Sequence, residues 1–530
     1  MITLGLAFFA ALVVSLVATP AVRLLANKWG VVDRPDGVRK LHGRHVALGG
    51  GLAVLFAFTA STAAVALTTV DGTHWGQTLW RSQALLPALF ASASVLTIVG
   101  LLDDAIELRG RQKLAGQILA VGLLTMSGLV IREVHVFELH IVLGLLAVPF
   151  TLFWLLGAIN ALNLIDGVDG LATSVGIILS LAVAVMSVLN GHIVEALLAT
   201  SFAGALVGFL VFNAPPASIF LGDAGSMLIG LIIGVLAIRS SLKGPATVAL
   251  AAPLAVWAIP ILDVAMAILR RKLTGRSIYT TDHGHLHHCL KRRGNSGPRT
   301  VLWIGLLCSI TACGAMSSVM YNNEFLAVGT VAAVAGTLVA SRVFGHSEFV
   351  LLYRRAQSTL LSLLSRRHRE RQLESETVTR FEGQQQWEAA WEQLMALAQR
   401  HGCHDVQLNL QAPFLHEEFH ARWRQRDHQP EDASWHAEFP LVSHQQSVGR
   451  LSLRGDRSSG SNVDLLHCLA NELSPIEQSL QTMLAAARDQ HELQLAPERG
   501  ARHSNLTRSP VAAAASHPLP GAVGGEPAPR

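Results

Sequence analysis

The stretch TLFWLLGAINALNLIDGVDGLATSVGIILSLAVAVMSVLN, residues 151–190, places a short polar turn between two apolar runs. Each run approaches the roughly 20 residues that an α-helix needs to cross a bilayer. The turn holds Asn163, Asp166 and Asp169, with Asn160 just before it. Such groups are costly at a membrane boundary unless they are paired or used. The stretch therefore predicts two transmembrane helices that are joined by a functional turn.

The same pattern recurs through residues 1–345, and about eleven segments qualify as predicted transmembrane helices. They lie at about 3–22, 47–69, 84–102, 114–131, 141–160, 171–189, 195–213, 226–240, 247–268, 301–320 and 325–342. The N-terminus lacks the charged start and the cleavage site of a signal peptide, so we expect it to remain as the first helix. The fold prediction is an all-α polytopic integral membrane protein.

Composition excludes several other classes of protein. Of the 530 residues, 51% are hydrophobic and 15% are charged, whereas soluble domains carry roughly 25% charged residues. The net charge of +4 is too small to indicate nucleic-acid binding. The 5 cysteines do not form the pattern of a disulfide framework.

Positive charges predict the orientation. Lys and Arg concentrate after the first, third and ninth predicted helices, within 23–44, 109–113 and 270–299. These loops share one side if the helices alternate, and the positive-inside rule assigns that side to the cytoplasm. We therefore expect an outside N-terminus and a cytoplasmic C-terminal part.

Three clusters of carboxylates and amides reach this predicted cytoplasmic face. They are Asp103 with Asp104; Asn160, Asn163, Asp166 and Asp169; and Asn213 with Asp223. The segment DHGHLHHCLKRRG (282–294) adds His283, His285, His287 and His288. Mg²⁺ binds through one or two carboxylates plus substrate phosphates, and His and Arg neutralise phosphate oxygens. The pattern predicts a phosphoryl-transfer site with Mg²⁺, or alternatively Mn²⁺.

Each motif also has a purely structural interpretation. Asp103 and Asp104 fit a solvated helix end, and Asp223 or Ser226 fits an N-cap. The alternating histidines fit a zinc site, although a matching Cys or carboxylate framework is missing. Asp263, inside the ninth predicted helix, fits a tether for the basic end of that helix.

Five motifs in order resemble the bacterial polyprenyl-phosphate N-acetylhexosamine-1-phosphate transferases, over about residues 1–345. They are VVDRPDGVRKLHGRHVALGG (31–50), LLDDAIELRGRQKLAGQ (101–117), NALNLIDGVDGLA (160–172), FNAPPASIFLGDAGS (212–226) and PILDVAMAILRRKLTGRSIYTTDHGHLHH (260–288). The form His285-Leu286-His287-His288 is most similar to the branch that transfers GlcNAc-1-phosphate from UDP-GlcNAc to undecaprenyl phosphate. The UDP-MurNAc-pentapeptide branch, which typically has three adjacent histidines, is the alternative. The first motif departs from the family, which often has Pro before its Gly-Gly.

The resemblance implies a role for each matching residue. Asp223 is implied as the Mg²⁺ ligand, and Asn213 as a second ligand or a nucleotide contact. Asp103 and Asp104 match the aspartate pair assigned to the lipid phosphate and catalysis. The remaining residues match the family's catalytic and substrate-binding positions: Asp166 and Asp169 for catalysis, and Asn160, Asn163, Lys40, His42, His285, His287 and His288 for substrate binding.

The reaction that the resemblance implies joins the lipid phosphate to the β-phosphorus of a UDP-sugar, releases UMP and begins a cell-envelope polysaccharide. The resemblance also implies that the protein lies in the bacterial inner (plasma) membrane. Direct attack and a covalent aspartyl intermediate both remain open, and the family suggests a homodimer. Two other classes also remain open. A cation-coupled transporter would place its carboxylates near the midplane, and a membrane-anchored sensor would tolerate substitution of the membrane motifs.

The charged C-terminal part predicts a helical linker over 346–400, whose amphipathic, cationic start is expected on the inner membrane surface. Strand patterns at 406–410, 436–442 and 447–455 and a closing helix at 463–489 predict a small cytoplasmic α+β domain over 401–494. This domain is faintly similar to GAF-type sensory modules and suggests an unidentified cytoplasmic partner. Residues 495–530, rich in Pro, Ala, Gly and Arg, predict a disordered tail.

Overall fold

The computed structural model divides the chain into two units, Met1–Tyr353 and Arg354–Arg530. The residues that the structure describes are 2–33, 45–70, 73–80, 85–244, 247–273, 284–364, 374–382, 387–412, 417–425, 434–443, 446–456, 471–475, 478, 481–483 and 485.

The first unit is built from helices. Their bounds are α1 Ile2–Trp29, α2 Gly50–Ala66, α3 Trp75–Trp80, α4 Leu85–Ile106, α5 Gly110–Met126, α6 Ala147–Ile165, α7 Leu171–Leu189, α8 Ile193–Asn213, α9 Gly222–Ser240, α10 Ala251–Val256, α11 Ala258–Leu273, α12 Leu286–Arg292, α13 Gly297–Met320 and α14 Glu324–Ala340. A further helix, α15 (His346–Leu364), begins in this unit and ends in the second.

Seven of the described helices are long and apolar enough to cross a membrane: α1, α4, α6 with the 3₁₀ turn before it, α7, α8, α9 and α13. Helices α2 and α14 are apolar but have only 17 residues each. The prediction of a helical polytopic membrane protein is confirmed at this level.

The predicted ninth span, residues 247–268, is wrong as one continuous helix. Strand β8 (Thr247–Ala249) comes first, and α10 and α11 follow with a break at Trp257. Pro253 and Pro260 each lie in the first turn of a helix, where the missing N–H leaves no hydrogen bond unmade. The two prolines therefore favour two helix starts within this apolar run.

Short strands, which the sequence did not predict, join the helix ends. Two pairs are β1 (Val32–Asp33) with β2 (Val46–Ala47), and β3 (Thr69–Val70) with β4 (Thr73–His74). A four-stranded sheet has the order β6-β5-β8-β7, from β5 Glu133–Val136, β6 Leu139–Val142, β7 Leu242–Gly244 and β8. This sheet joins the ends of α5 and α9 that lie away from the aspartate clusters.

Helix α9 is the centre of the bundle and packs against α2, α4, α6, α7 and α8. Every residue from Ala224 to Ile238 is buried. Small residues let neighbouring backbones come close, as is common between membrane helices. A Cβ on Gly51 or Gly100 would overlap the backbone of α9 around Ala224. These close approaches position the first turn of α9, which carries Asp223.

The second unit contains a five-stranded antiparallel sheet of order β12-β13-β10-β11-β9. Its strands are β9 Glu374–Glu382, β10 Cys403–Ala412, β11 Glu417–Gln425, β12 Ser434–Ser443 and β13 Gln446–Asp456, and α16 (Trp387–Arg400) packs on β10. Trp387, Trp391 and Leu394 of α16 are fully buried against it.

The sequence predictions for the C-terminal part differ from the structure in the linker and agree with it in the strands. The helical prediction for 346–400 is wrong over 374–382, which pair with β11 as strand β9. The three predicted strands fall within β10, β12 and β13. Most of the predicted helix 463–489 and the whole of the 495–530 tail lie outside the described residues.

Candidate active site

The C-terminal end of α4 meets the first turn of α9. The backbone N–H of Asp223 donates to Asp104 Oδ1 at 2.9 Å. A Cβ on Gly222, whose φ is +70°, would overlap the same carboxylate. The second oxygen, Asp104 Oδ2, is buried and has no hydrogen-bond partner among the described residues. A buried carboxylate oxygen without a hydrogen bond can accept one from a ligand or bind a cation.

Lys113 on α5 is the cation of this cluster. Its Nζ lies 3.0 Å from Asp103 Oδ2, donates to Asn163 Oδ1 at 3.0 Å and forms an ion pair with Asp223. Three oxygen-bearing side chains from α4, α6 and α9 therefore converge on one ammonium group. The sequence analysis missed this role, because it counted Lys113 only as a charge of the positive-inside loop.

Asn163 and Asp103 are held from both sides. Asn163 Nδ2 donates to Asp223 Oδ1 at 2.6 Å and to Ser226 Oγ at 3.0 Å. Asp103 Oδ1 accepts from the backbone N–H of Leu108 at 2.7 Å. These bonds fix the carboxylates without using all their oxygens, so lone pairs remain for a ligand.

The turn after α6 brings two more carboxylates to the cluster. Asp169 Oδ2 accepts from the backbone N–H of Ala217 at 3.0 Å, which ties the turn to the chain before α9. Desolvation raises the pKa of Asp166 well above its usual value, and the charges of Asp223, Asp104 and Asp169 raise it further. The charges of these three carboxylates therefore act on Asp166, and a proton or a nearby cation is favoured at this position.

The histidine segment reaches this turn. His285 Nδ1 lies 2.9 Å from Asp263 Oδ2, and the Leu286 N–H donates to Asp263 Oδ1 at 2.7 Å, so Asp263 holds this segment. The His287 ring packs on Gly167, where a Cβ would come within 2.6 Å of its Nε2. The rings of His287 and His288 are 4.2 Å apart.

Burial shifts the pKa values of two side chains in this segment, His287 and Lys291. Burial lowers the pKa of His287 well below its usual value, and positive neighbours lower it further. Its imidazole is therefore neutral at pH 7 and able to exchange hydrogen bonds. Burial also lowers the pKa of Lys291, while the negative charge of Asp169 raises it.

Two predicted amides are used within the protein. Asn160 and Gln117 exchange amide hydrogen bonds of 2.9 and 3.3 Å. Asn213 Oδ1 accepts from Thr173 at 2.7 Å, and its Nδ2 donates to the Ile219 carbonyl at 3.0 Å. Both ends of the Asn213 amide therefore have a protein partner, and the expected ligand role of Asn213 would use the second lone pair of its Oδ1.

Four residues of interest, Lys40, His42, Asp282 and His283, lie outside the described residues. The ends of the first motif are nevertheless placed by β1 and β2. The Phe220 N–H donates to the Ala47 carbonyl at 2.8 Å, and the Gly50 N–H donates to the Phe220 carbonyl at 3.1 Å. Strand β2 is thereby attached to the chain just before Asp223.

Known proteins with similar sequences indicate the family of this chain. The model of glycosyl transferase family 4 matches residues 86–241, which include α4 to α9. A probable undecaprenyl-phosphate N-acetylglucosaminyl 1-phosphate transferase of Bacillus subtilis is 31% identical over 62% of this chain and 88% of its own length. A decaprenyl-phosphate N-acetylglucosaminephosphotransferase of Mycobacterium tuberculosis is 33% identical over 64% and 87%. A phospho-N-acetylmuramoyl-pentapeptide-transferase of Clostridium perfringens is 37% identical over 30% and 48%.

Proposed function

Because this chain belongs to glycosyl transferase family 4, we propose that it transfers GlcNAc-1-phosphate from UDP-GlcNAc to undecaprenyl phosphate and releases UMP. The observation that carries the proposal is the convergence of Asp103, Asn163 and Asp223 on Lys113, with Asp104 bonded to the Asp223 backbone N–H, at the place where α4, α5, α6 and α9 meet. Phosphoryl transfer depends mainly on positioning and charge stabilisation, which such a cluster supplies.

The choice of donor is supported by the relatives. The two that this chain matches over most of their lengths are named for N-acetylglucosamine, whereas the pentapeptide-transferase matches over 48% of its own length. The separated histidines of HLHH agree with this choice. UDP-MurNAc-pentapeptide is the second candidate donor.

The residues present fit a bound Mg²⁺. The described residues contain no group of three or more His, Cys, Asp or Glu side chains in metal-binding geometry, but Mg²⁺ needs only one or two carboxylates when phosphates and waters complete its shell. Asp223 and Asp103 present oxygens to one cation already, and Asp104 Oδ2 is a buried acceptor to which no donor among the described residues bonds. When bound, the metal would offset charge on the pyrophosphate of the donor.

In the proposed step, an oxygen of the lipid phosphate attacks the β-phosphorus of the UDP-sugar. A new P–O bond forms, the bond from the β-phosphorus to the bridging oxygen breaks, and UMP leaves with that oxygen. Lys113 is well placed to neutralise phosphate oxygens, because its ammonium group is held between α4 and α9. Asp103 and Asp104 orient the lipid phosphate, and direct attack needs no covalent aspartate.

The histidine segment and the turn after α6 complete the proposed pocket. Neutral His287 and its neighbour His288 hold the pyrophosphate or sugar, and Asp166 and Asp169 line the catalytic side. Asn163 positions Asp223 through its 2.6 Å hydrogen bond. We assign Asn160 and Asn213 to the framework that shapes the pocket, since their amides bond to Gln117, Thr173 and Ile219.

The proposed topology has eleven crossings, with α10 and α11 forming one broken crossing and with α2, α5 and α14 as short ones. It puts the active site and the C-terminal part on the cytoplasmic side of the inner membrane. The basic segments near 109–113 and 270–299 support this orientation. A homodimer and a cytoplasmic partner of the C-terminal part belong to the same proposal.

The test is UMP release by the purified protein in detergent with undecaprenyl phosphate and Mg²⁺. UDP-GlcNAc, UDP-GalNAc and UDP-MurNAc-pentapeptide are compared in parallel, with Asp223→Ala as the inactive control. Lipid- and Mg²⁺-dependent release from UDP-GlcNAc, lost in the control, is the expected result. UMP release from UDP-MurNAc-pentapeptide alone would show that this molecule, and not UDP-GlcNAc, is the donor. No UMP release by folded protein from any donor would refute the proposed reaction.

A further inference from the structure

A buried ion pair lies beside the histidine segment, between α11 and α15. Arg270 Nε donates to Glu348 Oε1 at 2.6 Å, and Nη2 contacts the same oxygen. The two side chains are only 6% and 4% exposed. Removing two charges from water is costly, so a buried pair of this kind is weak evidence for stability and is better explained by the position that it imposes.

The same guanidinium group holds the start of the histidine segment. Arg270 Nη2 donates to the Gly284 carbonyl at 3.1 Å. A Cβ on Gly284 would overlap the guanidinium group, so only glycine fits at this contact. The next two residues bond to Asp263, seven positions before Arg270 on the same helix. Helix α11 thus fixes residues 284–286 at two points, two turns apart.

Glu348 determines where Arg270 points. Arginine has several rotatable bonds, and its planar fork is ordered by a carboxylate that accepts from it. Without Glu348, the guanidinium group would lose the buried carboxylate that orients it, and its hydrogen bond to the Gly284 carbonyl would weaken. The segment that carries His287 would then lose its first attachment.

We propose that Glu348 is a positioning residue for donor binding, which acts through Arg270 on the segment that holds His285, His287 and His288. This inference rests on the proposed function of that segment. Glu348 lies in the first turn of α15, within the first unit, so a helix that follows α14 would take part in positioning this segment.

The experiment compares Glu348→Ala with a matched control, Glu195→Ala. Glu195 is also buried and accepts from Arg239 Nε at 2.9 Å and Nη2 at 2.6 Å, near the end of α9 remote from Asp223. A displacement of about 1 Å can reduce a rate about 100-fold. For Glu348→Ala we expect kcat/KM for the UDP-sugar to fall about 10- to 100-fold, mainly through KM, with KM for the lipid phosphate unchanged.

Glu348→Gln retains an oxygen for Arg270 and is expected to recover most of the lost kcat/KM, which a loss of folding would not explain. Equal losses in Glu348→Ala and Glu195→Ala, or a parallel rise of both KM values, would overturn the inference. Hydrogen exchange provides a readout that needs no turnover. Amides of 284–292 should exchange at least about tenfold faster in Glu348→Ala than in wild type or Glu195→Ala, and equal exchange would also overturn it. If the wild type lacks activity, the proposed function fails, but hydrogen exchange still tests whether Glu348 holds the segment 284–292 through Arg270.

Discussion

Replacing Lys113 by Met tests whether the Lys113 ammonium group and a divalent cation neutralise the same carboxylates, Asp103 and Asp223. Methionine has nearly the same length but no charge, so Asp103 and Asp223 would lose their shared cation. We expect the variant to be less stable without divalent cations, and Mg²⁺ to stabilise it more than it stabilises wild type. Turnover should fall about 100- to 1,000-fold, as when one charge-stabilising donor is removed from an active site.

The loss of stability follows from the burial of the three side chains. Lys113, Asp103 and Asp223 are 17%, 12% and 30% exposed. Breaking a fully buried pair costs about 3–5 kcal/mol, and an exposed pair is worth about 0–1 kcal/mol. An intermediate cost of about 1–3 kcal/mol lowers Tm by about 2–6 °C, at about 2 °C per kcal/mol for a large unit.

The assay is thermal unfolding in detergent, with EDTA and with increasing Mg²⁺, for wild type, Lys113→Met and Arg111→Met. Arg111 is exposed on the first turn of the same helix and serves as the matched loss of one charge. Its substitution should change stability by less than about 0.5 kcal/mol. An unchanged Tm in EDTA for Lys113→Met, or a Mg²⁺ response no larger than that of wild type, would refute the reasoning.

Three further predictions concern single groups of the site. Because folding raises the pKa of Asp166, its ionised form destabilises the folded state at pH 7.5. The variant Asp166→Asn should therefore have a higher Tm in EDTA than wild type, while its UMP release falls at least about 100-fold. A lower Tm would contradict this prediction. Folding lowers the pKa of His287, so wild type should lose stability as the pH falls below about 6.5. The Tm of His287→Gln should fall less than that of wild type between pH 7.5 and 5.5. Parallel curves of Tm against pH would argue against this prediction. Gly222→Ala, at φ +70° beside Asp104, should lower the free energy of unfolding by about 1–3 kcal/mol and remove most of the activity. The control is Gly157→Ala, in open space on α6, which should not destabilise the protein. Equal effects of the two substitutions would count against the contact between Gly222 and Asp104.

Hydropathy predicted the seven long membrane helices because a helix in lipid satisfies its own backbone hydrogen bonds and must be apolar along its length. It failed at 247–268, where Pro253 and Pro260 start two helices without changing the apolar composition. It also failed at 374–382, since the pairing of β9 with β11 depends on residues about 40 positions away. Such long-range pairing leaves little local signal.

The site was predictable where carboxylates cluster in one short segment, as at Asp103–Asp104 and Asp166–Asp169. Lys113 and Arg270 were harder to recognise, because basic residues near helix ends already have an explanation in the positive-inside rule. Their roles depend on which oxygen atoms from other helices reach them. Asp263 was expected to hold the end of its own helix, but it bonds to His285 and Leu286 instead.

The pairing of β1 with β2 has a consequence for how this chain can vary. Val32 pairs with Ala47 and Asp33 with Val46, so the two ends of the segment 34–44 are held side by side. Each doubling of a loop's length costs only about 0.6 kcal/mol in closure entropy. Lengthening this segment should therefore cost the fold little, because the attachment of β2 to the chain before Asp223 does not depend on it. An insertion between Asp33 and Lys40 should thus affect the expected substrate contacts of Lys40 and His42 more than it affects folding.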